Sequence, residues 1–504
     1  MIEGIIVGLE PLALLAAVVG VLLGIVFGAI PGLTATLGIA LLVPVTFLME
    51  TAHGMIMLGG VYAGAIYGGS ITAILLNIPG TPASVVTAWE GHAMAREGDA
   101  PLALGLSAAS VGVGGLISGF VLLWLTPLLA SVALSFGPPE YLALIVFSLV
   151  IVCVMLSTPL LGNALAALLG LLIATVGTNP VTGSSRFTFG FYELTGGVGI
   201  VAILIGFFCM SQAILIGWAA LTQHQKTDIV FGRGGTGGAL VKALWARAGT
   251  LGRGTGIGLF LGILPAIGPE TTPLTTHAVE RRFSREADRF GKGSKTGLVV
   301  AESSMAANVG GSLIPLLALG IPGSGAAAVF VGALTLHGLK PGPLLFVEHP
   351  QSIYAFFVGF IVVYLTILMI GLFAARFFAV LLKIPNAVVA TFVAAFSVLG
   401  AYAINNTMFD VWVMLGATLL SFCLAALRIP ILPLVLGLIL GLLFEENLVV
   451  AQSVVRGPED LIDRPIAIGL ALLSVALLAI SIVRRKRGFK PRCSVPASGG
   501  SSRE

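Results

Sequence analysis

The chain has 504 residues, of which 57% are hydrophobic and 10% charged, with a formal net charge of +4. A soluble domain carries about 25% charged residues, so this chain could not cover itself with polar groups in water, and lipid must be a main solvent. Its basic residues are not interleaved with exposed aromatics as a nucleic-acid surface requires, and no nucleic-acid partner is expected. The four cysteines, Cys153, Cys209, Cys423 and Cys493, show no CxxC spacing; the first three read as small buried residues, with no metal site or disulfide frame.

In chain order, Met1–Glu10 lacks the basic start of a cleavable signal peptide, and the apolar run after it is too long for one. No Asp, Glu, Lys or Arg occurs in Pro11–Met49, Thr51–Trp89, Ala100–Pro139 or Tyr141–Ser185. Each gap is about twice the length of one spanning helix. Passes are expected at 12–30, 33–49, 55–77, 102–126, 140–157, 159–177, 196–218, 297–320, 326–346, 353–380, 387–404, 410–427, 430–444 and 466–483. The fold class is an all-α polytopic membrane protein of 11–14 hydrophobic segments, some of them hairpin arms. Residues 1–221 form a first transmembrane half, 222–253 a cytoplasmic linker, 254–483 a second half and 484–504 a basic cytoplasmic tail.

Basic residues cluster in three places: Lys226, Arg233, Lys242, Arg247 and Arg253; Arg281, Arg282, Arg285, Arg289, Lys292 and Lys295; and Arg484 to Arg492. The positive-inside rule puts all three, and the C-terminus, in the cytoplasm. The apolar stretch Thr255–Ala266 lies between two of them. As a helix it would be about 18 Å long against a hydrocarbon core of about 30 Å. It then breaks at Pro265, Pro269 and Pro273. The expected path is a re-entrant hairpin, entering from the cytoplasm and returning there; the alternative is a pair of interfacial helices.

Two elements recur in order. Gly28-Ala29-Ile30-Pro31-Gly32 precedes Gly68-Gly69-Ser70 and Pro79-Gly80-Thr81; Gly262-Ile263-Leu264-Pro265-Ala266 precedes Gly310-Gly311-Ser312 and Pro322-Gly323-Ser324. Inverted repeats with helices broken at matching positions point to a transporter's binding site. A Pro-Gly break exposes amide donors at a half-helix N-terminus, which favours an anion, and frees carbonyls that suit a hard cation. The solute is expected between the Pro79–Ser84 and Pro322–Ala326 breaks near the midplane, completed by the Pro31 and Pro265 breaks. The candidate solute-binding residues are Pro31, Gly32, Thr34, Asn77, Pro79, Gly80, Thr81, Ser84, Pro322, Gly323 and Ser324.

The segments Gly28–Leu33 (GAIPGL), Tyr67–Ser84 (YGGSITAILLNIPGTPAS), Gly177–Gly190 (GTNPVTGSSRFTFG) and Gly310–Phe346 resemble the large membrane subunit of the tripartite tricarboxylate transporters, the TctA family. The resemblance covers roughly residues 5–480. It implies cation-coupled carboxylate uptake across a bacterial inner membrane, driven by sodium or protons. It also implies two partners, a small TctB-like membrane subunit and a periplasmic TctC-like solute-binding protein. The sequence departs from the family pattern at Ala266, Met305, Ala306 and Asn179.

Ionisable groups within apolar regions are costly and usually have a role. The candidate cation-coupling residues are Ser70, Glu270, Thr271, Glu302, Asn308 and Ser312. Glu270 and Glu302 read either as cation ligands or protonatable groups, or as interfacial carboxylates that cap a helix or pair with Arg281 or Lys295. Arg186 attracts the solute, docks the binding protein or forms a salt bridge. His277 and His337 read as interfacial, and Asp410 as a helix-end marker. No HExxH, GxSxG or P-loop motif supports enzymatic chemistry or intrinsic ATP hydrolysis.

Overall fold

The computed structural model describes residues 2–156, 158–179, 182–222, 237–265, 267–374, 384–455, 460 and 464–486. Its helices are α1 (Ile2–Gly8), α2 (Pro11–Ala29), α3 (Ala35–Thr46), α4 (Thr51–Leu76), α5 (Val85–Met94), α6 (Ala100–Ala133), α7 (Pro138–Met155), α8 (Leu160–Ala174), α9 (Ile200–Leu204), α10 (Ser211–Thr222), α11 (Gly237–Trp245), α12 (Ala248–Ile263), α13 (Thr272–Phe283), α14 (Lys295–Leu319), α15 (Gly325–Leu336), α16 (Leu345–Glu348), α17 (Pro350–Ala374), α18 (Asn386–Asn405), α19 (Met408–Ala426), α20 (Ile431–Val454) and α21 (Pro465–Lys486). A two-residue ladder pairs β1 (Gly177–Thr178) with β2 (Ser185–Arg186), antiparallel. Among the described residues ten helical stretches are long and apolar enough to cross a membrane, which makes this an all-α polytopic membrane protein.

Three expected passes are shorter than predicted, 159–177 among them, which holds only the 15-residue α8. The segment 33–49 contains the 12-residue α3, because its chain is not helical until Thr34, and 326–346 contains the 12-residue α15, which ends at His337. None of the three is long enough to cross by itself. Cys153 and Cys209 are buried as expected, but Cys423 is exposed on the outer surface of α19. There a lone thiol can face lipid as readily as a small apolar side chain. Cys493, Lys226, Arg233 and the tail from 487 on lie outside the described residues.

The core is organised by two close helix pairs. Gly20, Gly24 and Gly28 of α2 lie against the backbone of Met57, Val61 and Ala65 of α4, and Gly64 and Gly68 of α4 lie back against Val21 and Ile25. The contacts advance together along both helices, so α2 and α4 run parallel. In the same way Gly254, Gly258 and Gly262 of α12 lie on Val300, Ser304 and Asn308 of α14. Small residues let backbones approach closely where lipid offers no hydrophobic drive to pack. α4 and α14 are buried on every side over nearly their whole length. Such helices carry no polar stripe, since protein rather than water covers every face.

Ion pairs define two opposite ends of the bundle. At the basic end Arg253 meets Glu280 (2.5 Å), Arg247 meets Glu286 (3.9 Å) and Lys295 meets Asp99 (3.6 Å). At the other end Arg186 meets Glu445 (2.7 Å) and Arg464 meets Glu140 (2.9 Å). The Arg253–Glu280 pair places the end of α13 beside the start of α12. The chain therefore turns within the bundle between Leu264 and Thr271 and returns to the end it left, the expected hairpin path.

Candidate functional site

Four interruptions face one another inside the bundle. The first follows α2: Gly32 adopts φ +91°, and Thr34 Oγ1 accepts from Leu37 N (3.2 Å) to cap α3. The second follows α4, where Asn77 closes the helix in the left-handed conformation (φ 58°). From there the chain folds back by about two turns. Gly80 N donates to Gly69 O (3.4 Å), and a β-carbon on Gly80 would overlap Gly28 O and stand 2.9 Å from Gly69 Cα. Only glycine lets the Pro79 break lie on α2 and α4 at once. Pro82–Ser84 then starts a helix that runs alongside α4 toward the basic end, as the contact of Gly91 with Ile74 requires.

The second half repeats this succession of elements. α12 ends at Ile263, and α13 begins at Thr272 behind Thr271. α14 closes with Gly320 at φ +75°, and a β-carbon on Gly323 would stand 2.8 Å from Gly262 O and 3.1 Å from Ser312 Cβ. Ser324 Oγ accepts from Ala327 N (3.1 Å) and caps α15, which runs away from the basic end. His337 at its close is 3.3 Å from Thr46 Oγ1 at the close of α3.

The breaks meet across the halves. A β-carbon on Gly325 would be 3.7 Å from Thr36 Oγ1, so α3 and α15 begin side by side; α13 begins against the Pro82–Ser84 turn. Tyr62 of α4 reaches Ser324 (2.8 Å) and Ser312 (3.3 Å) through its hydroxyl. A β-carbon on Gly268 would meet both the Glu270 carboxylate and Ser324 Cβ (3.0 Å). Asn308 donates to Ile267 O (2.9 Å) and Thr272 Oγ1 (2.8 Å), and its Oδ1 is buried without a partner. Gly32, Asn77 and Thr271 are exposed, whereas Thr81, Ser84 and Ser324 are buried.

Of the expected solute residues, Gly80, Thr81, Ser84, Pro322, Gly323 and Ser324 are buried at the breaks, whereas Gly32 and Asn77 are exposed. The expected cation residues divide into groups. Ser70 and Glu302 bond to each other (3.1 Å), and Glu302 also accepts from Thr87 (2.6 Å). Glu270 and Thr271 sit on the second-half loop, Asn308 ties that loop to α14, and Ser312 faces Tyr62. Several readings need correction. Glu302 is fully buried and pairs with neither Arg281 nor Lys295, whose partner is Asp99. His277 is buried, and its Nε2 is 2.7 Å from Glu90 Oε1. Arg186 takes the salt-bridge reading, and its hydrogen bond to Glu445 holds the guanidinium above its ordinary pKa. Asp410 does mark a helix start, accepting from Asn405 (2.9 Å) and Thr407 (3.0 Å). Met305 and Ala306 are buried, with Ala306 O accepting from Tyr364 (2.9 Å). Ala266 lies outside the described residues. Tyr62, Thr87, Thr272 and Glu90 were not singled out from the sequence, because each acquires its role from a partner distant along the chain or across a break.

The fold is that of a multi-pass helical membrane protein. Residues 14–436 match the tripartite tricarboxylate transporter TctA family, and the chain belongs to it. It is 35% identical over 490 residues to an uncharacterized 52.8 kDa protein in the TAR-I ttuC' 3' region of Agrobacterium vitis, covering 95% of each chain. It is 32% identical over 234 residues to an uncharacterized protein in the TAR-II ttuC' 3' region of the same organism, covering 46% of this chain and 97% of that one. A manganese transporter from Eremococcus coleocola aligns at 15% identity over 94% of this chain and 95% of that one, with a TM-score of 0.11, and carries no argument.

Proposed function

We propose that this chain is the large permease subunit of a binding-protein-dependent secondary transporter that imports a tricarboxylate or related carboxylate with sodium or protons. The observation that carries the reading is the meeting of four interrupted helices inside the bundle, with α3 and α15 starting side by side behind hydroxyl caps at Thr34 and Ser324. Helix N-termini present unpaired amides and a positive dipole end, which suit the carboxylates of a solute. The buried, unpartnered hydroxyl of Thr81 adds a side-chain donor, and Ser324 and Ser84, the latter donating to Thr81 O (2.8 Å), lie beside it as further solute contacts.

In this reading the basic end faces the cytoplasm of a bacterial inner membrane, as does the C-terminus. The two halves are inverted repeats. A TctB-like small membrane subunit and a TctC-like periplasmic binding protein complete the system. Access alternates by movement of the bundle that carries the site, in an elevator manner.

The test is uptake of radiolabelled citrate, as a probe carboxylate, into proteoliposomes with and without the cognate periplasmic protein. Gly323→Leu is expected to reach the membrane but lose uptake, because its β-carbon would stand 2.8 Å from Gly262 O and push the break off α12; membrane insertion and the unfolding midpoint, measured alongside, separate loss of the site from loss of the fold. Normal uptake by that variant sinks the site. Full uptake by the wild type without the periplasmic protein would instead make this a stand-alone carrier.

A further inference from the structure

Five carboxylates are buried among the described residues. Four have conventional partners: Glu90 has His277 and the amides of Gly291, Gly293 and Ser294; Glu140 has Arg464; Glu280 has Arg253; and Asp410 at a helix start has Asn405 and Thr407. Glu302 differs. It is fully buried two turns into α14, and it accepts from the hydroxyls of Ser70 on Oε2 (3.1 Å) and Thr87 on Oε1 (2.6 Å). Two more fully or almost fully buried hydroxyls, Tyr67 Oη and Ser107 Oγ, stand close to the same carboxylate and make no well-directed hydrogen bond of their own.

An ionised carboxylate in an interior with no cation beside it is strongly disfavoured, and a pair of hydroxyl donors offsets only part of that cost. The surroundings suit a small cation. Hydroxyls both donate and accept, so they can turn their hydrogens toward a bare carboxylate or their lone pairs toward a bound ion.

Packing does not require a charge here. Ser312 occupies the position matching Ser70, 242 residues on, and faces the neutral hydroxyl of Tyr62 from the opposite half. Position also matters. Ser70 follows Gly69, where a β-carbon would stand 2.9 Å from Thr81 N, and Thr87 lies one turn beyond Ser84. The cluster therefore adjoins the Pro79 break.

We propose that Glu302, Ser70 and Thr87, with Tyr67 and Ser107 beside them, form a binding site for one monovalent cation, H⁺ or Na⁺. As the site of the coupling ion it rests on the transport reading above; as a cation site it can be measured without transport.

The experiment uses the purified full chain in detergent with no solute present. Thermal unfolding is followed as choline chloride is replaced by NaCl, and the carboxyl infrared bands are recorded at neutral pH, for the wild type and for Glu302→Gln. A sodium-dependent rise of the unfolding midpoint that Glu302→Gln lacks identifies Na⁺. A protonated-carboxyl band that Glu302→Gln lacks, with no sodium effect, identifies H⁺. Either result supports the site. An ionised Glu302 with no sodium effect overturns it, and so does a sodium response that survives in Glu302→Gln.

If Glu302→Gln does not fold, Thr87→Val keeps the carboxylate and removes one hydroxyl. It is expected to weaken the sodium titration about tenfold or to displace the carboxyl band, and an unchanged response in both overturns the proposal. Cation binding in a protein that fails to take up carboxylates would sink the transport reading and leave this site standing.

Discussion

Gly28 and Gly262, 234 positions apart, stand in matching places: the carbonyl oxygen of each lies where a β-carbon would fall on the glycine of a proline break, Gly80 in the first half and Gly323 in the second. Each also ends a row of glycines at four-residue spacing, 20, 24 and 28 in α2 and 254, 258 and 262 in α12. The rows set how closely α2 approaches α4 and α12 approaches α14. That approach fixes the depth at which the broken segments rest. Helix packing and site geometry are thus joined through the same residues.

Gly28→Val and Gly262→Val are therefore expected to fail structurally rather than only functionally. A β-carbon at Gly28 would overlap Ala65 O, and one at Gly262 would stand 2.7 Å from Asn308 O. Overpacking of this kind costs about 1–3 kcal/mol or more. The prediction is a lowered unfolding midpoint for both variants, larger for Gly28→Val, by fluorescence-detected size exclusion after heating. Wild-type midpoints would show that these helix pairs can separate freely.

The Tyr62–Ser324 contact joins α4 to the cap of α15 across the halves. Ser324→Ala removes the α15 cap as well as the contact, whereas Tyr62→Phe removes the contact together with the longer one to Ser312 (3.3 Å). A double-mutant cycle on apparent KM for citrate uptake should give a coupling of about 1 kcal/mol, since a buried hydrogen bond contributes about that much net. Additive effects would place Tyr62 outside the site.

The sequence carried the breaks themselves. Glycine and proline act on their own backbone, so GAIPGL and NIPGT could be read locally, and the chain is interrupted at both. The partners were not readable. Glu302 meets Ser70 and Thr87, 232 and 215 residues away, and Glu90 meets His277 187 residues away. No local pattern encodes which helix will lie opposite which. The lengths of α3 and α15 were overestimated for a related reason: apolar residues continue past the helix ends, and hydropathy does not register a break that the backbone makes. The glycine rows are visible in the sequence, but their meaning needed the neighbouring helix in place.

Asn179 departs from the family pattern, and the structure supplies a reason to keep it. Its Nδ2 donates to Glu445 Oε1 (2.8 Å), while Arg186 binds the same carboxylate. Asn179→Asp would set a second carboxylate against Glu445 and leave one guanidinium between them. The expected result is a loosened β1–β2 turn, seen as faster backbone amide exchange over 177–190. Asn179→Asp combined with Glu445→Gln should recover most of the protection, because the added charge is then balanced by Arg186. The pair is partly solvated, so the effect on global stability should stay within about 1 kcal/mol.

Glu90 gives the sharpest prediction about the basic end. Its carboxylate accepts from Gly291 N (2.7 Å), Gly293 N (3.1 Å) and Ser294 N (2.7 Å), and meets His277 as well. One side chain of α5 thereby holds the turn before α14, where both Gly291 and Gly293 have positive φ. Glu90→Ala would leave those donors without their acceptor in a buried place, at a cost of about 3–5 kcal/mol. Glu90→Gln keeps one acceptor oxygen but turns an amino group toward a backbone amide, so it should cost less. Amide exchange over 286–297 should rise in the order wild type, Glu90→Gln, Glu90→Ala, with the β1–β2 turn unchanged. If exchange in that segment is the same in all three, the turn is held by its own backbone, and Glu90 must be conserving the distance between α5 and α13 instead.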